Sequence, residues 1–363
     1  MVTKKILGLY DKLSFYRYRI PRLLDSRAEF KLKKTNLNCA KASKAEKQIL
    51  EDYWGKAILK RLDTRYLSLY NTYNDNYDPR YIPDDLYYGT IDSYFNNAME
   101  CGALDDKNLY DLYFPDALQP KTIGRKVGGT FLKADYSIWS LQDMLTACQK
   151  EEKVIVKPTR LTQGGGGIFF WNKSEGLGLL KEKLEAQKSD FIIQGLIHQH
   201  SELSKLHPDS VNSIRILTLN MNGKVSVLSA IVRMGANGLK VDNGHSGGCF
   251  CGVMDDGRLR NVAFDYMTGK KFDTHPTTDA HFQDSIIPKF ESCKQMVEKL
   301  APRLGTVSRL TSWDLTVNES CQPMLIEVNL CYGGLFFHQM SNGPIFGEQS
   351  RYIIEKVLKE KDV

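Results

Sequence analysis

The chain has 363 residues, of which 42% are hydrophobic and 25% are charged, and its formal net charge is +6. These values are ordinary for a globular protein, and no stretch approaches the roughly 20 consecutive apolar residues of a transmembrane helix. The length suffices for two or three subdomains with cores of their own, and no motif of a nucleic-acid-binding protein is present.

Residues 1–34 form a basic segment interleaved with aromatic side chains. Ten Lys or Arg residues against three acidic residues give this segment a charge of +7, which exceeds the charge of the whole chain. The segment is either a solvated helix face or a contact site for an anionic lipid or glycan. Because we find no signal peptide and no zinc-type spacing among the eight cysteines, we expect a cytoplasmic protein. Residues 1–34 would hold it peripherally at the anionic inner face of the membrane.

The chain then continues to about residue 112 in a helical, tyrosine-rich pattern without a recognisable motif. Polar breaks fall at 36–38 and 74–79. We predict strands at 154–156, 168–171 and 191–194, with a helix at 174–187 between the last two.

A run of glycines follows the first of these strands. Lys157 stands at the strand end, and the loop after it contains Gly164, Gly165, Gly166 and Gly167. Glycine backbone N–H groups can surround an anion, and a lysine supplies a point charge for phosphate. The segment is not a P-loop, because no Gly-Lys-Ser/Thr follows. A flexible hairpin tip is the alternative to a phosphate site.

Residues 214–219 and 225–232 alternate as paired strands around Asn222-Gly223, which predicts a type I′ hairpin. An amphipathic helix is expected at 287–304 and a last helix at 350–359.

A second hairpin, between these two helices, places oxygen ligands on one face. Glu327 and Asn329 are two apart on an apolar strand, so both side chains point the same way. A turn at 319–322 would set Asp314 opposite Glu327, and Asn318 opposite Pro323. Opposed carboxylates repel each other unless a cation compensates, and Mg²⁺ prefers oxygen ligands. We therefore predict that Asp314, Glu327 and Asn329 hold one or two Mg²⁺ ions, with Mn²⁺ as a substitute; incidental surface acids are the alternative.

Together, the Lys157 strand, the glycine run and the acidic hairpin resemble the ATP-grasp superfamily over about residues 120–350. The segments 213–218, 230–233 and 242–248 resemble its glutamate- and lysine-adding ligases. The phrases 207–215 and Trp313-Asp314 are similar to its sugar-transfer-associated branch. The resemblance implies an α+β fold, with a mostly helical region at 1–117, an ATP-grasp lid at 118–196 and a C-terminal subdomain with the metal site at 197–363.

The resemblance also implies where ATP binds. The adenine would lie against the hinge after the third lid strand, Lys157 would contact the α- and β-phosphates, and the four glycines would close over the β- and γ-phosphates. Either Lys126 or Lys121 would assist Lys157, and the sequence does not choose between them. The implied hinge residues are Gln194, Gly195 and Ile197.

Four further residues receive catalytic roles from the resemblance. Arg215 and Arg233 would lie near the γ-phosphate and the developing oxyanion, or would serve as structural ion pairs. Asn243 and His245 would belong to a loop over the acyl site that also contains Gly247 and Gly248, and His245 would help to deprotonate the amine.

The activity implied is that of an ATP-dependent carboxylate–amine ligase that acts through an acylphosphate and releases ADP. Its substrates would be ATP, a carboxylate such as a sugar acid and an amine, in capsular or exopolysaccharide biosynthesis. Two alternatives stay open. One is an ATP-grasp kinase for a sugar hydroxyl. The other is an inactive nucleotide-binding scaffold, against which the intact Lys157, Asp314, Glu327 and Asn329 argue.

Overall fold

The computed structural model describes residues 20–36, 39, 41–73, 77–160, 166–239, 242, 247–305 and 307–361. Residues 1–19 of the basic segment and four predicted site residues, Gly164, Gly165, Asn243 and His245, lie outside the described residues. The described part is α+β, as expected, and its strands form two antiparallel sheets.

The N-terminal region is helical up to the first strand. Helix α2 begins at a capping box in which the Ser43 side chain accepts from the Glu46 N–H and the Glu46 side chain accepts from the Ser43 N–H. The helices of this region are α1 (20–36), α2 (Lys44–Leu59), α3 (Thr64–Asn71), α4 (Asp84–Leu86), which continues through a π-helical turn (Tyr87–Ile91) into α5 (Asp92–Phe95), α6 (Ala98–Leu104) and α7 (Tyr110–Tyr113).

The smaller sheet lies within the predicted lid. Its strand order is β2-β1-β5-β3-β4, and two helices pack on it around the buried Trp171. The elements are β1 (Thr122–Val127), β2 (Thr130–Lys133), α8 (Leu141–Cys148), β3 (Lys153–Pro158), β4 (Phe169–Asn172), α9 (Gly176–Ala186) and β5 (Phe191–Gly195).

The larger sheet carries the predicted metal hairpin, and its strand order is β10-β9-β8-β7-β6-β11-β12. Asn222 and Gly223 both have positive φ, which confirms the type I′ turn between β6 and β7. The C-terminal elements are α10 (Ser201–Leu206), β6 (Ser213–Met221), β7 (Lys224–Met234), β8 (Cys249–Val253), β9 (Leu259–Asp265), β10 (Lys271–Phe272), α11 (Phe290–Leu300), β11 (Leu310–Val317), β12 (Pro323–Asn329), α12 (Leu335–Asn342) and α13 (Ser350–Lys361).

Both faces of the larger sheet are covered. Helices α10 and α11 pack on one face. On the other face, α2, α3, α12 and α13 share one core with sheet residues such as Leu217 and Ile231. Helices of the N-terminal region therefore share a hydrophobic core with the larger sheet and with the C-terminal helices.

The register of the β11–β12 hairpin differs in one respect from the prediction. Val317, and not Asn318, opposes Pro323. A bulge between Asp314 and Leu315 shifts the pairing by one residue, and Asp314 opposes Glu327 as predicted. With Val317 opposite Pro323, an unbroken ladder would not place Asp314 opposite Glu327. The bulge shifts the pairing by one residue and so brings the two carboxylates opposite each other.

Candidate functional site

A cavity of about 1010 Å³ lies between the two sheets and reaches helix α1. Strands β3 and β4 of the smaller sheet line one side of it, and β6, β7, β11 and β12 of the larger sheet line another. Its residues fall into an apolar end, a charged centre and an aromatic end, and most of the predicted site residues that the structure describes contribute to it.

The apolar end surrounds the segment that follows β5. Ile155, Phe170, Leu196 and Ile326 line the cavity here. The segment is tied to the acidic hairpin, because the His198 carbonyl accepts from the Glu319 N–H at 2.9 Å and the His200 N–H donates to the Val317 carbonyl at 2.8 Å. A flat apolar ring with polar edges would fit between these side chains.

The structure brings two of the three predicted hinge residues to the cavity. Gly195 and Ile197 line it, whereas Gln194 is not among the described residues that do. Gln194 is buried within the smaller sheet, where it pairs with Ile155 and Thr122.

Lys157 contributes a buried ammonium group to the charged centre. It lies at the end of β3, as predicted, and lines the cavity. Burial, together with the nearby charge of Lys107, lowers the pKa of Lys157 to about 8. Burial removes the water that would otherwise stabilise the ammonium charge. A bound phosphate would stabilise that charge in place of the water.

Lys107 and Lys153 also line the cavity, and the sequence analysis assigned neither of them a role. Lys107 Nζ donates to Glu327 Oε1 at 2.6 Å, and the Lys107 N–H donates to the Thr159 carbonyl at 3.1 Å. The only local signal is the cap formed by Asp106, whose side chain accepts from the Asn108 N–H. That cap marks a helical turn but says nothing about a partner 220 residues away.

The two lysines considered as helpers of Lys157 lie elsewhere. Lys126 donates to the Gln187 carbonyl at 2.8 Å, and Lys121 pairs with Glu151 at 2.5 Å. Neither is among the described residues that line the cavity. The charged groups that act on Lys157 are instead those of Lys107, Glu327 and Asp242.

Asp314 stands at the middle of the charged centre and is almost completely buried. Arg215 grips it with two hydrogen bonds, Nε to Oδ1 and Nη2 to Oδ2, each 2.7 Å long. The register explains the pair, because Asp314 opposes Arg215 on β6 as well as Glu327 on β12. Burial alone would raise the pKa of Asp314, but the charges of Arg215 and Arg233 lower it to about 2.

Arg233 completes the centre from β7. Its Nη2 lies 3.1 Å from Asp242 Oδ2 and 3.4 Å from Asp314 Oδ2, and its Nε donates to Ser213 Oγ at 3.0 Å. Burial opposes its charge, and the two carboxylates raise its pKa. Both predicted arginines therefore line the cavity as members of one ion-pair network.

The predicted metal ligands are brought together. Glu327 and Asn329 line the cavity beside Asp314, and Asn329 Nδ2 donates to Asp314 Oδ2 at 3.4 Å. Among the described residues no group of three His, Cys, Asp or Glu side chains is placed to hold a metal, and this set consists of two carboxylates and one amide. An all-oxygen set of this kind fits Mg²⁺, or Mn²⁺ in its place, rather than a metal that prefers thiolate or imidazole.

The described glycines of the two predicted loops, Gly166, Gly167, Gly247 and Gly248, are not among the described residues that line the cavity. Gly167 has φ +77°, and a Cβ there would lie 2.8 Å from Pro158 Cγ, so a larger residue would not fit next to the end of β3. Gly247 and Gly248 directly precede β8.

Two antiparallel sheets thus enclose a cavity, with lysines on one side and an acidic hairpin on the other, as expected from the resemblance to ATP-grasp proteins. The model of the family described as sugar-transfer associated ATP-grasp matches residues 92–353, more than two thirds of the chain. The chain belongs to this family.

Solved structures resemble the fold at low sequence identity. D-cycloserine synthetase DcsG is 17% identical over 72% of this chain and 71% of its own, with a TM-score of 0.39. VanG D-Ala:D-Ser ligase from Enterococcus faecalis is 12% identical over 71% of this chain and 61% of its own, with a TM-score of 0.40.

A third structure is N5-carboxyaminoimidazole synthetase from Staphylococcus aureus, solved with ADP. It is 10% identical over 63% of this chain and 45% of its own, with a TM-score of 0.38. The match thus spans less than half of that protein. No curated relative matches the chain.

Proposed function

We propose that this protein is an ATP-dependent carboxylate–amine ligase that forms an acylphosphate and releases ADP. The observation that carries the proposal is the charged centre, where Lys107, Lys157, Arg215 and Arg233 meet Asp314 and its neighbours in one cavity. Phosphoryl transfer requires positioning and charge neutralisation more than covalent participation of the protein.

In the first step, an oxygen of the substrate carboxylate attacks the γ-phosphorus of ATP, and the bond from that phosphorus to the ADP oxygen breaks. Lys107 and Lys157 neutralise the phosphates. Arg215 and Arg233 orient the carboxylate and the transferred phosphoryl group. Both guanidinium groups are already held by Asp314 and Asp242, so little reorganisation is needed when charge develops.

In the second step, the amine nitrogen attacks the acyl carbon, inorganic phosphate leaves, and the nitrogen loses a proton. The result is an amide. Asp314, Glu327 and Asn329 would hold Mg²⁺, which would supply further neutralisation of the phosphate oxygens. The adenine lies in the apolar end, against the backbone of Gly195 to Ile197.

The substrates we propose are a sugar acid and an amine, joined during capsular or exopolysaccharide biosynthesis. The description of the family as associated with sugar transfer supports this choice.

We further propose that the protein contacts the anionic inner face of the membrane from the cytoplasm through residues 1–34. Among the described residues, no helix is long and apolar enough to cross a bilayer. Helix α1 instead exposes apolar and basic side chains together, with Leu24 59% and Ile20 49% exposed. Arg27, Lys31 and Lys34 are exposed on the same helix. Such a surface complements an anionic lipid layer.

Hydroxylamine tests the ligase proposal, because it intercepts an acylphosphate as a hydroxamate. The protein is incubated with ATP, Mg²⁺, hydroxylamine and a panel of sugar acids. We expect a hydroxamate and ADP in equal amounts with at least one acid. A phosphorylated sugar without hydroxamate would establish the kinase instead, and the absence of both with every acid would establish the scaffold. The variant Glu327→Gln, which removes one carboxylate at constant volume, serves as the control for contaminating activity.

A further inference from the structure

The cavity continues beyond the Arg215–Asp314 pair to helix α1. Arg22, Asp25 and Glu29 line it from one face of this helix, because residues three and four apart share a face. Ligand sites in proteins usually measure about 300–1,000 Å³, and this cavity lies at the upper limit of that range. It therefore has room for a second substrate beside a nucleotide. We call the part next to α1 the aromatic end.

Tyr332 stands out in the aromatic end because of its backbone. Its φ is +58°, a left-handed conformation that is unusual for a bulky side chain. Asp92 Oδ1, itself buried, accepts from the Tyr332 N–H at 2.8 Å and holds this conformation. Residues in such conformations are strained and are concentrated at ligand sites. Tyr332 follows Asn329 by three positions, and its ring lines the cavity next to the charged centre.

Polar side chains surround this ring. The Arg22 guanidinium lies 5.3 Å from the centre of the Tyr332 ring, and the Tyr88 ring lies 6.2 Å from it. Asp25 lines the cavity one helical turn from Arg22. Arg22 lies over one face of the Tyr332 ring, so the aromatic end offers the other face of this ring together with a guanidinium donor and a carboxylate acceptor.

An aromatic wall connects the aromatic end with the charged centre. Arg215 lies 5.9 Å from the Phe337 ring centre, and Phe337 stacks on Tyr266 at 4.7 Å. The Tyr266 hydroxyl donates to Glu29 Oε1 at 2.8 Å, and Lys33 donates to Glu29 Oε2 at 3.1 Å. Helix α1 is thus anchored to this wall, and the carboxylate of Glu29 is already engaged.

We propose that the aromatic end binds the ring of a polyhydroxylated carboxylic acid, a sugar acid, whose carboxylate reaches Arg215. The C–H face of the ring would lie on Tyr332, since aromatic faces carry partial negative charge. Its hydroxyl groups would donate to Asp25 and accept from Arg22. An amine in place of the carboxylate is a poorer occupant, because it would face the positive charge of Arg215. This inference rests on the proposed ligase activity and defines its carboxylate substrate.

Calorimetry with D-glucuronate and D-galacturonate tests the proposal on the full chain, in the presence of Mg²⁺ and a non-hydrolysable ATP analogue. We expect at least one of the two acids to bind, and cyclohexanecarboxylate to bind at least about tenfold more weakly, because it lacks the hydroxyl groups. The variants Asp25→Asn and Tyr332→Asn should each weaken binding of the acid by about tenfold, about 1.4 kcal/mol, without changing the affinity for the ATP analogue. Asparagine tolerates the left-handed backbone, so the second variant removes the ring and keeps the conformation.

Two control variants distinguish the contribution of the Tyr332 ring to binding from an effect on folding. Tyr332→Phe retains the aromatic face and should bind the acid within about threefold of the unmodified protein, about 0.7 kcal/mol. Thr35→Ala alters an exposed side chain of the same helix, whose hydroxyl donates to the Lys31 carbonyl at 2.9 Å, and should bind equally well.

The proposal is overturned if neither acid binds, if glucosamine binds in their place, or if Asp25→Asn and Tyr332→Asn leave the affinity unchanged. These outcomes are distinct from a failure of the ligase activity. Binding of an acid without a hydroxamate would sustain the aromatic end as a sugar-acid site and remove the ligase. A hydroxamate formed only from other carboxylates would sustain the ligase activity and overturn the aromatic end as a sugar-acid site.

Discussion

Replacing Lys157 by methionine keeps the length of the side chain and removes its charge. In the structure this ammonium is buried, faces the cavity and has a pKa of about 8. A hydrogen bond from a charged group contributes about 1.5–3 kcal/mol, and its loss should weaken ATP binding roughly 10- to 150-fold. Lys107 remains in the variant and retains part of the neutralisation, so some binding should persist.

The pKa adds a second signature to the same experiment. A lysine with a pKa lowered to about 8 is charged below that pH and loses its charge above it. The affinity of the unmodified protein for ATP should therefore decline as the pH rises through 8, whereas that of Lys157→Met should change little. Calorimetric titration with ATP at several pH values gives both quantities. Lys150→Met removes an exposed lysine that precedes the same strand and should behave like the unmodified protein.

Equal ATP affinity in Lys157→Met and the unmodified protein would show that Lys157 does not contact the phosphates. A pH profile that declines equally in both proteins would assign the titration to another group.

Three further outcomes are expected. Asp314→Asn and Glu327→Gln should both abolish Mg²⁺-dependent turnover, measured as ADP release. Only Asp314→Asn should lower the melting temperature strongly, because breaking the buried pair with Arg215 costs about 3–5 kcal/mol. Substantial turnover in Glu327→Gln would contradict the assignment of Glu327 as a metal ligand. Burial raises the pKa of Asp84 to about 7, so the folded protein holds this proton more tightly than the unfolded chain does. The contribution of Asp84 to stability therefore decreases as the pH rises from about 4 to 7. Urea denaturation should show that Asp84→Asn loses less stability than the unmodified protein over this pH range, and equal losses in both proteins would contradict the raised pKa. Replacing Arg27, Lys31 and Lys34 together by glutamine should release the protein from anionic liposomes at low salt while hydroxamate formation continues, and failure of the unmodified protein to bind such liposomes would end the membrane proposal.

The parts of the site that could be predicted from the sequence are those set by local periodicity. Glu327 and Asn329 share a face because strand side chains alternate, and Asn222-Gly223 determines a turn type. Lys157 was recognisable because it stands at the end of an apolar strand, beside glycines. The position of Asp314 opposite Glu327 was also predicted, although the bulge that produces it was not.

The parts that were missed depend on contacts between distant segments. Lys107 lies in a helical region without a motif, and its partner Glu327 is 220 residues away. The basic charge of residues 1–34 predicts an outer contact surface. It does not predict that Arg22, Asp25 and Glu29 of α1 line the cavity. The spacing of these three residues predicts only that they share one face of a helix. Whether that face lines a cavity or contacts solvent depends on the element that packs against it.

The passage of an oxygen atom from the carboxylate to phosphate tests the ligase mechanism most directly. The acid identified by hydroxamate formation is labelled with ¹⁸O in its carboxylate and is incubated with ATP, Mg²⁺ and the amine, and the inorganic phosphate is analysed by mass spectrometry. If the carboxylate attacks the γ-phosphorus and the amine then attacks the acyl carbon, the phosphate carries one labelled oxygen. Unlabelled phosphate formed together with the amide would contradict the acylphosphate mechanism.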